Sequence, residues 1–107
     1  MWSDALGAGR GLHEGSARYT VIDTDLALGV LLGRYDRCDI CGNLSWDPDR
    51  VSRVHALLLK EGDDIYAIDL ASTNGTIIDG IATPVAKLGP EAMIDLAEGN
   101  RVFWHML

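Results

Sequence analysis

Two segments, Val51-Ser52-Arg53-Val54-His55-Ala56-Leu57-Leu58-Leu59-Lys60 and Asp69-Leu70-Ala71-Ser72-Thr73-Asn74-Gly75-Thr76-Ile77-Ile78-Asp79-Gly80, decide how this chain is read. Each joins a cluster of small polar residues to a short apolar run. Val54–Leu59 is nearly continuous in apolar character, as a strand at the centre of a sandwich would be, and Glu61-Gly62-Asp63-Asp64 turns it into an antiparallel partner over Ile65–Leu70. Hydrogen-bonding side chains therefore gather where strands meet loops, which is where a β scaffold carries a binding site.

Working outward, the remaining apolar runs are short and closely spaced. Tyr19–Ile22 and Leu26–Leu32 are separated by Asp23-Thr24-Asp25, which reads as the turn of a hairpin. Tyr35–Arg50 reads as loop, with a short extended piece at Asp39-Ile40 and a turn at Asp47-Pro48-Asp49. Thr76–Ile78 leads through a turn at Asp79-Gly80 into Ile81–Val85, a run broken by Pro84 that reads as an edge position. Met93–Leu96 and Val102–Leu107 complete the set, although Pro90-Glu91-Ala92-Met93 could instead open a helical turn. Many short strands without a clear helix predict an all-β fold, a two-sheet antiparallel β-sandwich. Met1–Ala17, rich in Gly, Ala and Ser, reads as a flexible lead-in, leaving residues 18–107 as the domain.

The 107 residues suffice for one core without disulfide or metal support, and 48% apolar with 23% charged residues is a globular composition. No apolar run reaches the roughly 20 residues of a membrane helix and no signal peptide is recognisable, so a cytoplasmic setting without membrane contact is expected. A formal charge of −7 argues against nucleic acid as partner. Arg34, Arg37, Arg50 and Arg53 are balanced by Asp36, Asp39, Asp47 and Asp49, so Arg34–Arg53 is neutral and the rest of the chain carries the excess of acid. An arginine-rich island on an acidic protein suits one compact anion better than a polyanion.

Gly33-Arg34, Ser52-Arg53-Val54-His55, Ser72-Thr73-Asn74-Gly75-Thr76 and Asp79-Gly80, in this order and spacing, resemble the signature of the forkhead-associated (FHA) domain. Leu96-Ala97-Glu98-Gly99-Asn100-Arg101-Val102 is similar to the run near that domain's end. The resemblance spans Leu26 to Val102 and implies a sandwich of roughly eleven strands that binds a phosphothreonine peptide with loops at one end. It makes Arg34 the phosphate cation, Ser52 a hydroxyl donor, Thr73 a further phosphate donor, Arg53 a backbone and side-chain donor, and Asn74 the holder of the peptide main chain. Gly33, His55 and Gly75 become supports of the site. Such chemistry fits the ligand, because a phosphothreonine carries about −1.5 to −2 charges and several acceptor oxygens. Asp79, where the family often has asparagine, and Asn100, where it often has aspartate, depart from the pattern but keep turn-forming chemistry.

The partner so implied is a threonine-phosphorylated protein or peptide, either a Ser/Thr kinase or its substrate, and no enzyme activity or cofactor is expected. One alternative is a phospho-independent interaction or assembly scaffold using a sheet face or the edge at Ile81–Val85. Another is a hydrolase built on Ser52 and His55, but residues three apart in an extended strand point to opposite faces. Cys38 and Cys41 form a lone C-x-x-C without the further ligands a zinc site needs, and read as core or half-buried thiols. Trp104 and Phe103 read as core and cover.

Overall fold

The computed structural model describes residues 10–14, 17–41 and 46–106. Ten strands are present among them: β1 (Arg10–Glu14), β2 (Ala17–Val21), β3 (Val30–Leu32), β4 (Ala56–Glu61), β5 (Asp64–Asp69), β6 (Thr76–Ile78), β7 (Ile81–Ala82), β8 (Val85–Lys87), β9 (Glu91–Leu96) and β10 (Arg101–Met106). They build the predicted sandwich. One sheet has the order β2-β1-β10-β9-β6-β7 and the other β3-β4-β5-β8, with every pairing between strands antiparallel. Alternation supplies the core: Leu12 from β1, Ala92, Ile94 and Leu96 from β9, and Val102 and Trp104 from β10 face Val30, Leu32, Ala56, Leu58, Ile65 and Ala67 of the second sheet. Trp104 is buried with its indole N–H donating to the Gly89 carbonyl at 3.2 Å, whereas Phe103 lies on the outer face, as core and cover.

Three expectations are corrected. The first concerns the lead-in: Arg10–Glu14 is a strand held between β2 and β10, so the sandwich begins before residue 18. Its register leaves Leu12 fully buried, and one large apolar residue at the correct phase outweighs a composition of small residues. Residues 1–9, including Trp2, lie outside the described residues.

Second, Asp23–Leu28 is a short helix, α1, where a hairpin turn is expected. Asp23 and Asp25 stand in its first turn, where a carboxylate meets the positive end of the helix dipole, and the Asp25 carboxylate accepts the Ile22 N–H at 3.0 Å. Leu26 reaches the core, and Gly29, at φ 96°, ends the helix. The helix carries the chain from β2 in one sheet to β3 in the other, a step that the two-residue alternation of a hairpin cannot make.

Third, Ile81–Val85 is broken at Pro84 as expected, but its two parts belong to different sheets. Asp79 and Gly80, both at positive φ (51° and 86°), make the predicted tight turn into β7, and the chain then crosses at Thr83-Pro84 to become β8 in the opposite sheet. The edge expected for this segment is therefore two edges, one on each sheet. Pro84 lies at the crossing, where it has no ladder N–H to supply and its carbonyl accepts the Asp69 N–H at 2.8 Å. Glu91–Leu96 is strand rather than the start of a helix, being paired with both β10 and β6. No helix among the described residues is long and apolar enough to cross a membrane.

The structural role given to β1 is measurable. Leu12→Ala removes a fully buried side chain and is expected to cost about 2–5 kcal/mol in urea unfolding. Leu28→Ala, at a side chain 85% exposed, should change stability by no more than about 0.5 kcal/mol. Equal and small effects at the two positions would show that β1 does not contribute to the core.

Candidate functional site

Three connections converge at one end of the sandwich: the segment from β3 to β4, the loop from β5 to β6, and the turn from β9 to β10. The first is fastened before it reaches the site. Gly33 donates its N–H to the Ile40 carbonyl, Arg34 to Ser52, Tyr35 to Arg53 and His55 to Leu32, at 2.9–3.1 Å. The chain thus doubles back on itself with residues 33–35 lying against 52–53. Gly33 is required by this approach: a Cβ there would stand 2.4 Å from the Arg53 carbonyl oxygen and 3.0 Å from the Cys38 Sγ.

His55 is fully buried and joins the first loop to the second. Its Nδ1 accepts the Ser52 N–H at 3.0 Å, which requires that nitrogen to be unprotonated, so Nε2 carries the hydrogen and donates to the Gly75 carbonyl at 2.6 Å. The same carbonyl accepts the Ala97 N–H at 3.0 Å from the third connection. Burial pushes the imidazole below its ordinary 6.5, and the Gly75 bond and the Asp69 charge oppose this without reversing it.

Asp69 organises the second loop. Its Oδ1 accepts the Ser72 and Thr76 hydroxyls at 2.5 and 2.7 Å, its Oδ2 accepts the Ser72 N–H at 3.1 Å, and Ser72 Oγ accepts the Gly75 N–H at 2.9 Å. Burial pushes this carboxyl up, but the hydrogen bonds from Ser72 and Thr76, helped by His55, outweigh it and hold it below the ordinary 3.8. Asp69 and the Asn100 side chain are the parts that reasoning from the sequence did not find. The Asp-x-x-Ser spacing, in which an Asp side chain can accept an N–H three residues on, was available as a signal for the first. Asn100 is buried and its Oδ1 accepts the Asp47 N–H at 2.7 Å, a link between residues 53 apart that no local pattern announces.

On this frame lies an open basin of about 580 Å³ lined by Arg34, Tyr35, Ser52, Arg53, Val54 and Thr73. Four of the five expected contact residues line it. The fifth, Asn74, is one residue further along the second loop and exposed, with Nδ2 donating to the Arg50 carbonyl at 2.8 Å. Among the described residues Arg34 uses only Nε, on the Val51 carbonyl at 3.1 Å, and no ion pair engages it, so its two η nitrogens keep their hydrogens. Ser52 Oγ accepts the Thr73 N–H at 3.0 Å, leaving its own hydrogen to donate outward. The Arg53 guanidinium packs 5.2 Å from the centre of the Tyr35 ring, and the main-chain N–H of Arg53 donates to no group among the described residues. The basin therefore offers a fixed cation and neutral donors, the complement of a small oxyanion.

The hydrolase alternative loses its geometry here. His55 is bound by the Ser52 main-chain N–H and not by its hydroxyl, and the ring faces Gly75 rather than the basin. Cys38 is buried with Sγ directed at the Arg53 carbonyl, 3.2 Å away, and Cys41 is half-buried, in line with the core or half-buried positions expected for both. Burial pushes the Cys38 thiol up, away from the range of a reactive thiolate.

An antiparallel sandwich that presents an anion-complementary basin at one loop end defines a ligand-binding domain. The sequence profile of the FHA domain matches residues 30–104, and the chain belongs to that family. Among solved structures it is similar to the first FHA domain of Rv1747 from Mycobacterium tuberculosis (20% identity, covering 92% of this chain and 96% of that one, TM-score 0.75). It is similar also to the FHA domain of an Arabidopsis thaliana hypothetical protein (18% identity, 95% and 88% covered, TM-score 0.77). A third is Mycobacterium tuberculosis EmbR in complex with a low affinity phosphopeptide (22% identity, 92% of this chain but 24% of that one, TM-score 0.73). No curated protein sequence matches the chain.

The two titratable supports predict separate pH windows. With its folded pKa below 6.5, His55 binds more protons in the unfolded chain, so stability falls as the pH drops below about 6.5 toward the folded value. The Asp69 contribution is present above 3.8 and is lost only as the pH falls through its lower folded value. His55→Gln should cost about 1–3 kcal/mol at pH 7.5 through the unpaired Ser52 and Gly75 groups. It should also flatten the loss of stability between pH 7 and 5.5 in thermal melts; an unchanged slope would contradict a buried neutral imidazole.

Proposed function

We propose that the basin binds phosphothreonine within an extended peptide and that the protein is a recognition module of Ser/Thr kinase signalling rather than an enzyme. The observation that carries this reading is the convergence of Arg34, Ser52, Arg53 and Thr73 on one open basin. Membership of the FHA family and the phosphopeptide held by the similar EmbR structure support it. Arg34 and Ser52 donate to phosphate oxygens, with Thr73 and Arg53 adding further donors. Asn74, anchored to Arg50, holds the peptide main chain with its remaining amide groups, which sets register without reading side chains. Gly33, His55 and Gly75 keep the three loops at this spacing.

Selectivity for threonine has a physical source in the same basin. Val54 and the Tyr35 ring are its apolar lining, and a methyl group set against such a surface is worth about 1–3 kcal/mol, enough to favour phosphothreonine over phosphoserine. The acidity of the whole chain opposes the approach of a phosphate, so an affinity on the order of micromolar, about −8 kcal/mol, is expected. The partner is a threonine-phosphorylated kinase or kinase substrate.

Binding to a degenerate phosphothreonine peptide library, with phosphoserine and unphosphorylated pools in parallel, tests the reading. Arg34→Ala removes a charge-assisted contact worth about 1.5–3 kcal/mol and should weaken phosphothreonine binding roughly 10- to 150-fold without unfolding the protein. Absence of binding in every pool, or binding that survives both phosphatase treatment and Arg34→Ala, would overturn it and favour a scaffold that uses the sheet faces or edges.

A further inference from the structure

The outer face of the six-stranded sheet carries two imidazoles that neither the core nor the loop basin uses. His13 of β1 and His105 of β10 are both half-buried, with their Nε2 atoms 3.0 Å apart and their rings perpendicular at a centroid distance of 4.8 Å. The pair is diagonal in the ladder, because His105 stands opposite Gly11 and His13 opposite Phe103. Gly11 makes the meeting possible. A Cβ at that position would lie 2.3 Å from His105 Nε2 and 2.4 Å from Cε1, so the ring occupies the space that any other residue would fill. The other nitrogen of His105, Nδ1, is 3.3 Å from the Met106 carbonyl, a bond that places the hydrogen on Nδ1 and turns the Nε2 lone pair toward His13.

We propose that His13 and His105 form a bidentate site for a late first-row divalent cation of the Cu²⁺ or Ni²⁺ class. With nitrogen–metal bonds of about 2.0–2.1 Å, donors 3.0 Å apart subtend about 90–95° at the metal, the angle between adjacent ligands in square-planar or octahedral coordination. A tetrahedral ion such as Zn²⁺ needs about 3.3 Å between the same atoms and fits less well. Ring centres about 4.7 Å apart follow when both nitrogens point at one such ion, beside the 4.8 Å found here. The Met106 carbonyl is the outer-shell acceptor that orients a ligating histidine.

In the metal-free pair, His13 Nε2–H donates to His105 Nε2. Ligation transfers that proton to His13 Nδ1 and leaves both imidazoles neutral. Among the described residues no group of three or more His, Cys, Asp or Glu could hold a metal, so water fills the other positions. Two charged side chains flank the site in the ladder. Glu91 of β9, opposite His105, favours a cation, and Arg18 of β2, opposite His13, opposes one. Because the two histidines are 92 residues apart, the ion would fasten the first strand of the sheet to the last and stabilise the folded chain.

The test uses tag-free protein titrated with Ni²⁺, followed by the imidazole Cε1–H signals in NMR and by thermal melting, with Mg²⁺ as control. Both histidine signals should respond together at one equivalent, and the melting temperature should rise with Ni²⁺ but not with Mg²⁺. His13→Ala, His105→Ala and Gly11→Ala should each weaken binding at least tenfold, the last with both imidazoles still present. Melting in a chelator confirms that each variant is folded. Binding unchanged in the double variant His13→Ala/His105→Ala would assign the ion to the thiols or another group and overturn the proposal. So would binding unchanged in Gly11→Ala, or Ni²⁺ binding no tighter than Mg²⁺, which would leave a hydrogen-bonded histidine pair.

Discussion

The imidazole of His55 is the constraint on which the binding end of this molecule depends. One nitrogen receives the main-chain N–H of Ser52 and the other delivers its hydrogen to the main-chain carbonyl of Gly75. The ring therefore spans two loops that local sequence could not bring together, and it does so in a site too dry for a charge. A charged imidazolium would have a donor where Ser52 also presents a donor. Neutrality here is a geometric requirement as well as a consequence of burial. Lysine or glutamine could not replace the ring, because neither offers an acceptor and a donor on opposite sides of a rigid plane.

Around this ring the polar residues divide into those that hold the loops and those that remain available. Asp69 saturates Ser72 and Thr76, Asn100 ties the Asp47 turn to the last hairpin, and Cys38 Sγ reaches the Arg53 carbonyl. Arg34, Ser52, Arg53 and Thr73 then meet at one basin. This is pre-organisation: the groups that would meet an anion are positioned by other bonds before it arrives, so less ordering remains to be done on binding. Arg34 illustrates the arrangement, because its Nε bond to the Val51 carbonyl fixes the plane of the guanidinium while leaving the outer edge open.

Much of this was legible in the sequence, for identifiable reasons. The sandwich follows from short alternating runs and from turn chemistry such as Asp79-Gly80. The basin residues followed from the motifs Gly33-Arg34, Ser52-x-x-His55 and Ser72-Thr73-Asn74-Gly75, and the structure brings four of the five expected contacts to its lining. What was hidden was non-local. The helix at Asp23–Leu28 resembles a turn because only six residues carry it, too few for a periodic pattern to stand out. Strand β1 is masked by its small residues, and its membership rests on Leu12 and on pairing with a strand at the other end of the sequence. Asn100 and Asp47 are joined across 53 positions, and Gly11 is explained only by the ring that lies over it.

The position of β1 between β2 and β10 has a consequence for how the chain is made. A ribosome delivers β1 first and β10 last, and the six-stranded sheet cannot close its centre until the final strand has emerged. The β3-β4-β5 part of the other sheet, by contrast, is contiguous apart from the long first connection and can form while synthesis continues. Until then the edge of β1 that faces β10 has no partner. The pairing of β1 with β10 is thus a late step, and a chain interrupted before β10 presents an open sheet edge at β1 rather than a weakened version of the finished domain.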